Sequence, residues 1–355
     1  MKIKTKIISL CLLASSCLVA QKTDKQSIKY EFDMYPLETI SKDKVVDINV
    51  FLDYTEKSKA KLAEVEAKKE EAKKDKEDYS KKKFGEKLFD KAVLGNSKPS
   101  GQFNNNEFIP ELFDISTMET AININNFSKK EGSNCVVNAT FSEFKYTILG
   151  STINYYPNKV VLSVNNDKGV NVYSGDLPNN STSMTYTGII SLSNIKTIET
   201  RAKDMAIQNL NTFLNQTYGF NLIKDWAYFF DIKDKKFDYP DYHEAINKIE
   251  SAFLSVNNPE RQEKFTSLLK ESIQIWENNL KLLDKNNKDA KINKYVAAAT
   301  TLNLAVAYAW LKDFNKAYDF LEDHKALDEN YDNTYNADLK FIKNYSERYN
   351  KFSKY

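Results

Sequence analysis

The stretch Tyr295–Leu311, YVAAATTLNLAVAYAWL, decides how the rest of this chain must fold. It carries no charge between Lys294 and Lys312 and contains neither Gly nor Pro. Its Ala and Leu residues favour helix. A helix that is apolar on every side must be covered on every side, which places this one at the centre of a helical core. The run is too short for a dependable membrane span, and Thr300, Thr301 and Asn303 interrupt its apolar character.

Outward from that helix, the pattern is helical from Asp241 nearly to the end. Helices are expected near 242–256, 260–284, 292–311, 314–327 and 334–351, separated by polar breaks such as VNNPER and DKNNKD. Towards the N-terminus the periodicity changes to two. IKYEF and VVDINVFLDY alternate apolar and polar residues on either side of PLETISKDK and are expected to pair antiparallel. NCVVNATFSEFKYTI, then KVVLSV and VNVYSG around NNDKG, continue the strands, the latter two as a hairpin turning at Gly169. TYTGIISLSNI completes a mainly antiparallel sheet of about six strands, followed by a helix from Thr200 to Gln216 that stops at Gly219.

One insertion differs in kind. Glu56–Lys91 is mostly charged, with Glu64–Lys68, Glu70–Lys74, Glu77–Lys81 and Asp78–Lys82 in the favourable order for a solvated helix. Leu62 and Val65 begin a stripe that does not continue, which gives weak support to a coiled coil. Phe84, Leu88, Phe89 and Val93 would dock its far end, before a loop over GNSKPSGQFNNNE. The expected fold class is therefore α+β. A β-rich α+β domain over 21–240 contains the charged helix 56–91, and a helical domain covers 241–355.

Residues 1–20 have the layout of a secretory signal peptide: a Lys-rich start, an apolar run from Ile7, and small residues before a cut after Ala20. The chain is therefore expected to be exported, periplasmic or secreted, with no transmembrane segment after the signal is removed. A lipid anchor at Cys17 is the less favoured alternative, because Ala14 and the apolar Leu18-Val19-Ala20 fit that signal poorly. The Ala-Gln cut and the Lys/Asn/Ile-rich, Arg-poor composition resemble exported proteins of the Bacteroidota.

The full chain carries 51 basic and 49 acidic residues, and losing Lys2, Lys4 and Lys6 leaves 48 against 49. A near-neutral chain whose arginines are Arg201, Arg261 and Arg348 does not suit nucleic acid. With residues 1–20 gone, Cys135 has no cysteine to pair with and reads as a small buried hydrophobe.

Within the helical third, Leu304, Ala305, Tyr308, Phe314, Ala317 and Leu321 resemble a tetratricopeptide repeat, and Tyr242, Ala245, Ile249 and Ala252 repeat its second half. Thr301, Lys312, His324 and Glu329 depart from the consensus Trp, Gly, Ala and Pro, and the unit around Lys281 lacks the signature. The resemblance implies a degenerate helical bundle. It also implies a concave face at Ala299, Leu302, Val306 and Ala309, either offered to a protein partner or filled by Leu339, Phe341, Ile342 and Tyr345.

The sequence offers no catalytic, cofactor or metal constellation. His243 and His324 lie outside any ligand-spaced pair and are expected at surface or repeat positions. Asp284–Tyr295 lacks the Gly and the terminal Glu of a calcium loop. The candidate ligand contacts lie in WAYFFDIKDKKFDYPDYHEA, where Trp226, Tyr228, Phe237 and Tyr239 alternate with Asp238 and Asp241. Aromatic faces with carboxylates between them suit sugar rings, and they equally suit a packed junction between sheet and helices. The expected function is a non-catalytic envelope protein that holds a protein partner through its helices. The alternative is a glycan or cell-wall binding module using 226–242.

Overall fold

The computed structural model describes residues 22–81, 108–178, 182–234, 236–328 and 333–355. The signal-peptide reading, the docking of Phe84, Leu88, Phe89 and Val93, and the loop after them lie outside the described residues. Helices and strands segregate as an α+β fold. Two compact units divide the chain, one holding the N-terminal part to Leu37 with Phe220–Tyr355, the other Glu38–Gly219.

This division replaces the boundary expected at 240, and its cause is a strand pairing. Strand β1 (Lys22–Met34) does not pair with β2 (Val45–Leu52). It runs antiparallel to β10 (Asn221–Lys233) over thirteen residues, from Lys22 opposite Lys233 to Met34 opposite Asn221. Ile28, Tyr30, Phe32 and Met34 alternate onto one face of this ribbon and are buried, so the ribbon joins the helical core. Alternation told which residues were strand and which face was apolar; it carried no information on the partner.

The ribbon unit continues with α4 (Pro240–Phe253), α5 (Gln262–Leu280), α6 (Lys294–Trp310), α7 (Phe314–Leu327) and α8 (Asn333–Lys354). Every residue of α6 from Val296 to Trp310 is buried, as its composition requires. Its Thr and Asn side chains are satisfied locally or by the ribbon. Thr300 donates to the Val296 carbonyl (2.7 Å) and Thr301 to that of Ala298 (2.8 Å). Asn303 takes both backbone groups of Phe230, accepting from its N–H at 2.7 Å and donating to its C=O at 2.8 Å. Asn293 caps the helix start by accepting from the N–H groups of Tyr295 and Val296. Trp310 meets Tyr30, Phe32 and Phe253 edge-on with centroids 4.8–5.1 Å apart, the geometry ring quadrupoles favour.

In the second unit, five strands lie in the order β3-β2-β4-β7-β8, with β3 at Ser128–Lys129, β4 at Val136–Phe141, β7 at Val160–Asn165 and β8 at Asn171–Asp176. Strand β2 runs parallel to β3 and β4, so the sheet is mixed rather than wholly antiparallel. The β7–β8 hairpin forms as expected. Gly169 sits at φ +74° and the Asn166 side chain accepts from the N–H groups of Lys168 and Val170. Three further strands, β5 (Tyr146–Leu149), β6 (Thr152–Tyr155) and β9 (Met184–Thr187), form a separate antiparallel sheet. The single six-stranded sheet is thus two sheets here, with β1 outside both.

The charged helix α1 spans Thr55–Lys81, with Glu64 and Lys68 paired at 2.6 Å. Helix α2 covers Ile115–Ala121. Helix α3 runs over Leu192–Tyr218, longer than expected, because Ser191 caps it by accepting from the Asn194 N–H; LSNI is helix rather than strand. One end packs Ile195, Ile198 and Ala202 against the three-stranded sheet, and the other packs Leu210, Leu214 and Tyr218 against the five-stranded one. Along its outer side Asn211 and Asn215 act as a ladder for the extended segment after α2. They accept from the N–H groups of Asn123 and Asn125, and Asn211 donates to the Ala121 carbonyl. No helix among the described residues is long and apolar enough to cross a membrane.

Candidate functional site

Strand β10, the turn after it and the start of α4 carry the six residues singled out in the sequence, and the fold disperses them. Tyr239 is 1% exposed, and its hydroxyl donates to the Lys291 carbonyl at 2.6 Å. Its neighbour Tyr242 is wholly buried and bonds to Thr300 at 2.7 Å. Asp238 is exposed; Asp241, half-buried at the start of α4, accepts from Asn279 at 3.3 Å. Phe237 is half-buried, with the Lys236 ammonium 5.1 Å from its ring centre. Asp238 faces solvent; Tyr239, Phe237 and Asp241 belong to the packing between the ribbon and α4–α6. Trp226 and Tyr228 do not: Trp226 is 49% exposed, Tyr228 half-buried, and both line one cleft.

The cleft follows from the free edge of β10. In an antiparallel pair, alternate residues turn their N–H and C=O away from the partner strand. Phe230 gives both groups to Asn303, so Trp226, Tyr228 and Ile232 face outward on the same parity. The carboxylate of Asp225 accepts from the Trp226 N–H and that of Asp231 from the Ile232 N–H, each at 2.8 Å. Tyr228, on the same parity, has no side-chain cap among the described residues, and it lines the cleft.

That cleft encloses about 150 Å³. One wall is Tyr30 with residues 225–228; the other is Val306 and Trp310 of α6 with Ala337, Asp338 and Phe341 of α8. The Asp338 residue is 6% exposed, and the Trp310 indole N–H, also buried, has no acceptor among the described residues. Burial, followed by the nearby carboxylates of Asp225 and Asp338, pushes the Tyr30 hydroxyl well above its ordinary pKa. Lys25 reaches across from β1: its ammonium lies 3.8 Å from the Tyr228 ring centre and donates to Thr334 at 2.8 Å.

Chemically, the cleft joins aromatic faces, carboxylate acceptors and buried or edge N–H donors in a space the size of one small ring. The sequence signalled Trp226 and Tyr228. It gave no sign of Asp338, Trp310, Phe341 or Tyr30, which converge only through the β1–β10 pairing and the placement of α8. Asp225 stood within one residue of the chosen stretch.

The other singled-out residues have structural partners. Of the surface or repeat position expected, His324 does not take the surface one: it is buried, and its Nδ1–H donates to the Ala298 carbonyl at 2.9 Å. The ring of His243 meets the Asp231 carboxylate through Nδ1 at 2.6 Å. Cys135 is fully buried, and burial pushes its thiol up to about 12. Among the described residues, no three His, Cys, Asp or Glu side chains gather to hold a metal.

The concave face implied by the repeat resemblance is closed. Ala299, Leu302, Val306 and Ala309 are at most 6% exposed within a core that includes the β1–β10 ribbon. Ile342 and Tyr345 of α8 are buried in the same core, and Phe341 lies 5.5 Å from Trp310. Filling by the C-terminal helix was expected; filling by the ribbon was not. Comparison of the chain with protein-family models, with curated proteins and with solved structures returns no match.

Proposed function

We propose that this is a non-catalytic, exported binding protein of the cell envelope that holds a saccharide ring in the cleft between β10 and α8. The observation that carries the reading is the pairing of the half-exposed Trp226 face with the buried Asp338 across a ring-sized space. A sugar presents an apolar face of C–H groups and a rim of hydroxyls that both donate and accept. It can therefore stack on Trp226, donate to Asp225 and Asp338, and accept from the uncapped N–H groups. Export rests on the layout of residues 1–20.

The test is sedimentation of the chain from Gln21 to Tyr355 with purified cell wall, alongside Trp226→Ala and Tyr239→Ala. The reading expects Trp226→Ala to lose wall binding at an unchanged melting temperature. It expects Tyr239→Ala to melt earlier by the ~3–5 kcal/mol typical of truncating a buried aromatic. Wall binding that survives Trp226→Ala would move the function away from this cleft.

The protein-scaffold reading retains one supporting observation: Leu254, Leu282 and Tyr295 are 85%, 67% and 65% exposed at the helix ends of the ribbon unit. Isolated apolar side chains are ordinary on surfaces, so this support is weaker. A stoichiometric protein captured from envelope extracts by crosslinking in the presence of excess cell wall, and lost on Leu254→Glu or Leu282→Glu, would favour it.

A further inference from the structure

The two walls of the cleft offer complementary neutral groups. On the strand edge, the backbone of Tyr228 turns away from β1 on the same parity as Phe230, whose N–H and C=O both go to Asn303. The Tyr228 carbonyl is thereby an acceptor on the β10 wall. On the opposite wall the Trp310 indole, 5% exposed, holds an N–H with no acceptor among the described residues. The charged groups nearby are engaged. Asp225 accepts from the Trp226 N–H, Lys25 donates to Thr334 while resting on the Tyr228 ring, and Asp338 has a partner of its own.

A buried donor left unpaired is costly, and an occupant that brings a strong acceptor removes that cost. A secondary amide is planar and trans, so its N–H and C=O point in opposite directions. Set between the walls, it donates to the Tyr228 carbonyl and accepts from the Trp310 N–H, whereas a hydroxyl must serve both walls from one oxygen. Val306 and Phe341 add apolar surface for a methyl group beside that amide.

Resting on the saccharide reading above, we infer that the cleft selects a sugar ring carrying an acetamido group. The acetamide enters the space of about 150 Å³, and the ring stays at its mouth against the half-exposed Trp226. A free amine brings the donor without the carbonyl, and a ring hydroxyl brings no methyl for Val306 and Phe341.

The three tryptophans make the test direct. Trp226 and Trp310 line the cleft, whereas Trp276 is fully buried and stacked 5.9 Å from Phe229, so it serves as an internal control. With indole-15N labelling, the N–H signals would be followed during titration with the methyl glycosides of N-acetylglucosamine, glucosamine and glucose. A fourth probe, N-acetylglycine N-methylamide, carries peptide amides without a sugar ring. The inference expects the Trp310 signal to move downfield, as a donor gaining an acceptor does, with the N-acetyl sugar and with neither other sugar. Trp226 should respond to stacking of the ring, and Trp276 should stay still. The N-acetyl sugar should bind at least ~tenfold more tightly than glucosamine or glucose glycosides, as the pairing of a buried donor implies.

Trp310→Phe keeps an aromatic ring and removes the N–H, so it should bring the preference to within ~threefold, read from the Trp226 signal. Because it also thins the aromatic cluster, Ala337→Leu provides a second variant. Ala337 is exposed on α8 and lines the cleft, so the larger side chain should narrow the space and abolish the preference at an unchanged melting temperature. Equal binding of the three sugars, with Trp226 moving and Trp310 still, would overturn the acetamido inference and leave the saccharide reading standing. No response to any sugar would overturn both. Binding of the peptide amide as tight as that of the N-acetyl sugar would overturn the sugar and assign the cleft to an extended peptide. A preference that persists in either folded variant would also overturn the inference.

Discussion

Glu199 supplies the sharpest test of the electrostatics of the Glu38–Gly219 unit. It lies on α3, 1% exposed. One oxygen accepts from the Glu111 N–H at 3.0 Å; the other has no partner among the described residues. Burial dominates and raises its pKa to about 7 from an ordinary 4.5, against the lowering effect of the Glu111 N–H. Glu111 and Glu143 add to the rise, and Lys196 opposes it. The folded state thus holds this proton more tightly than the unfolded chain does.

The stability that Glu199 contributes is complete below its unfolded pKa near 4.5 and is lost as pH rises through about 7. At ~1.4 kcal/mol per pKa unit, the loss amounts to about 3 kcal/mol by pH 8. Glu199→Gln keeps an oxygen for the Glu111 N–H and never ionises. It should match or fall slightly below the parent at pH 5 and exceed it at pH 8 by up to ~3 kcal/mol, or roughly 6–12 °C in melting temperature for a domain of this size. Melting curves of both proteins at half-unit intervals from pH 4.5 to 8.5 would read this. Parallel curves would refute the reasoning, because they would mean that Glu199 already ionises without penalty in the folded state.

Two further outcomes follow from buried groups. Asn303→Leu keeps the volume but strands the N–H and C=O of Phe230; urea unfolding should show a loss of ~2–5 kcal/mol, and a loss below 1 would mean that water or another group replaces Asn303. Cys135, buried and with its thiol raised to about 12, should stay unreactive to a disulfide reagent at pH 8 until denaturant is added; rapid labelling of the native protein would contradict its burial.

How far the sequence alone reached can be seen in α6, β1 and Trp226. An all-round apolar helix leaves one physical option, complete cover, and Val296–Trp310 is covered throughout. Apolar spacing of 3.6 placed the helices after Asp241 to within a few residues, and spacing of two placed most strands, together with the Gly169 hairpin. These are local properties, set by backbone geometry and the side chains within a turn or two.

The partner of β1 was not local: Ile28, Tyr30, Phe32 and Met34 required an apolar platform, and the one they found lies about two hundred residues further along the chain, on β10. Nothing in the period of a strand distinguishes that partner from the adjacent VVDINVFL. The pairing closed the groove that the repeat resemblance implied. It drew Tyr239 into the core while leaving Trp226 on the edge, and it brought Tyr30, Asp225, Trp310 and Asp338 to one cleft. The sequence determined which residues could serve as walls and charges. Only the tertiary structure decided which of them meet, because a site between a strand edge and two helices depends on long-range pairing that local propensity does not encode.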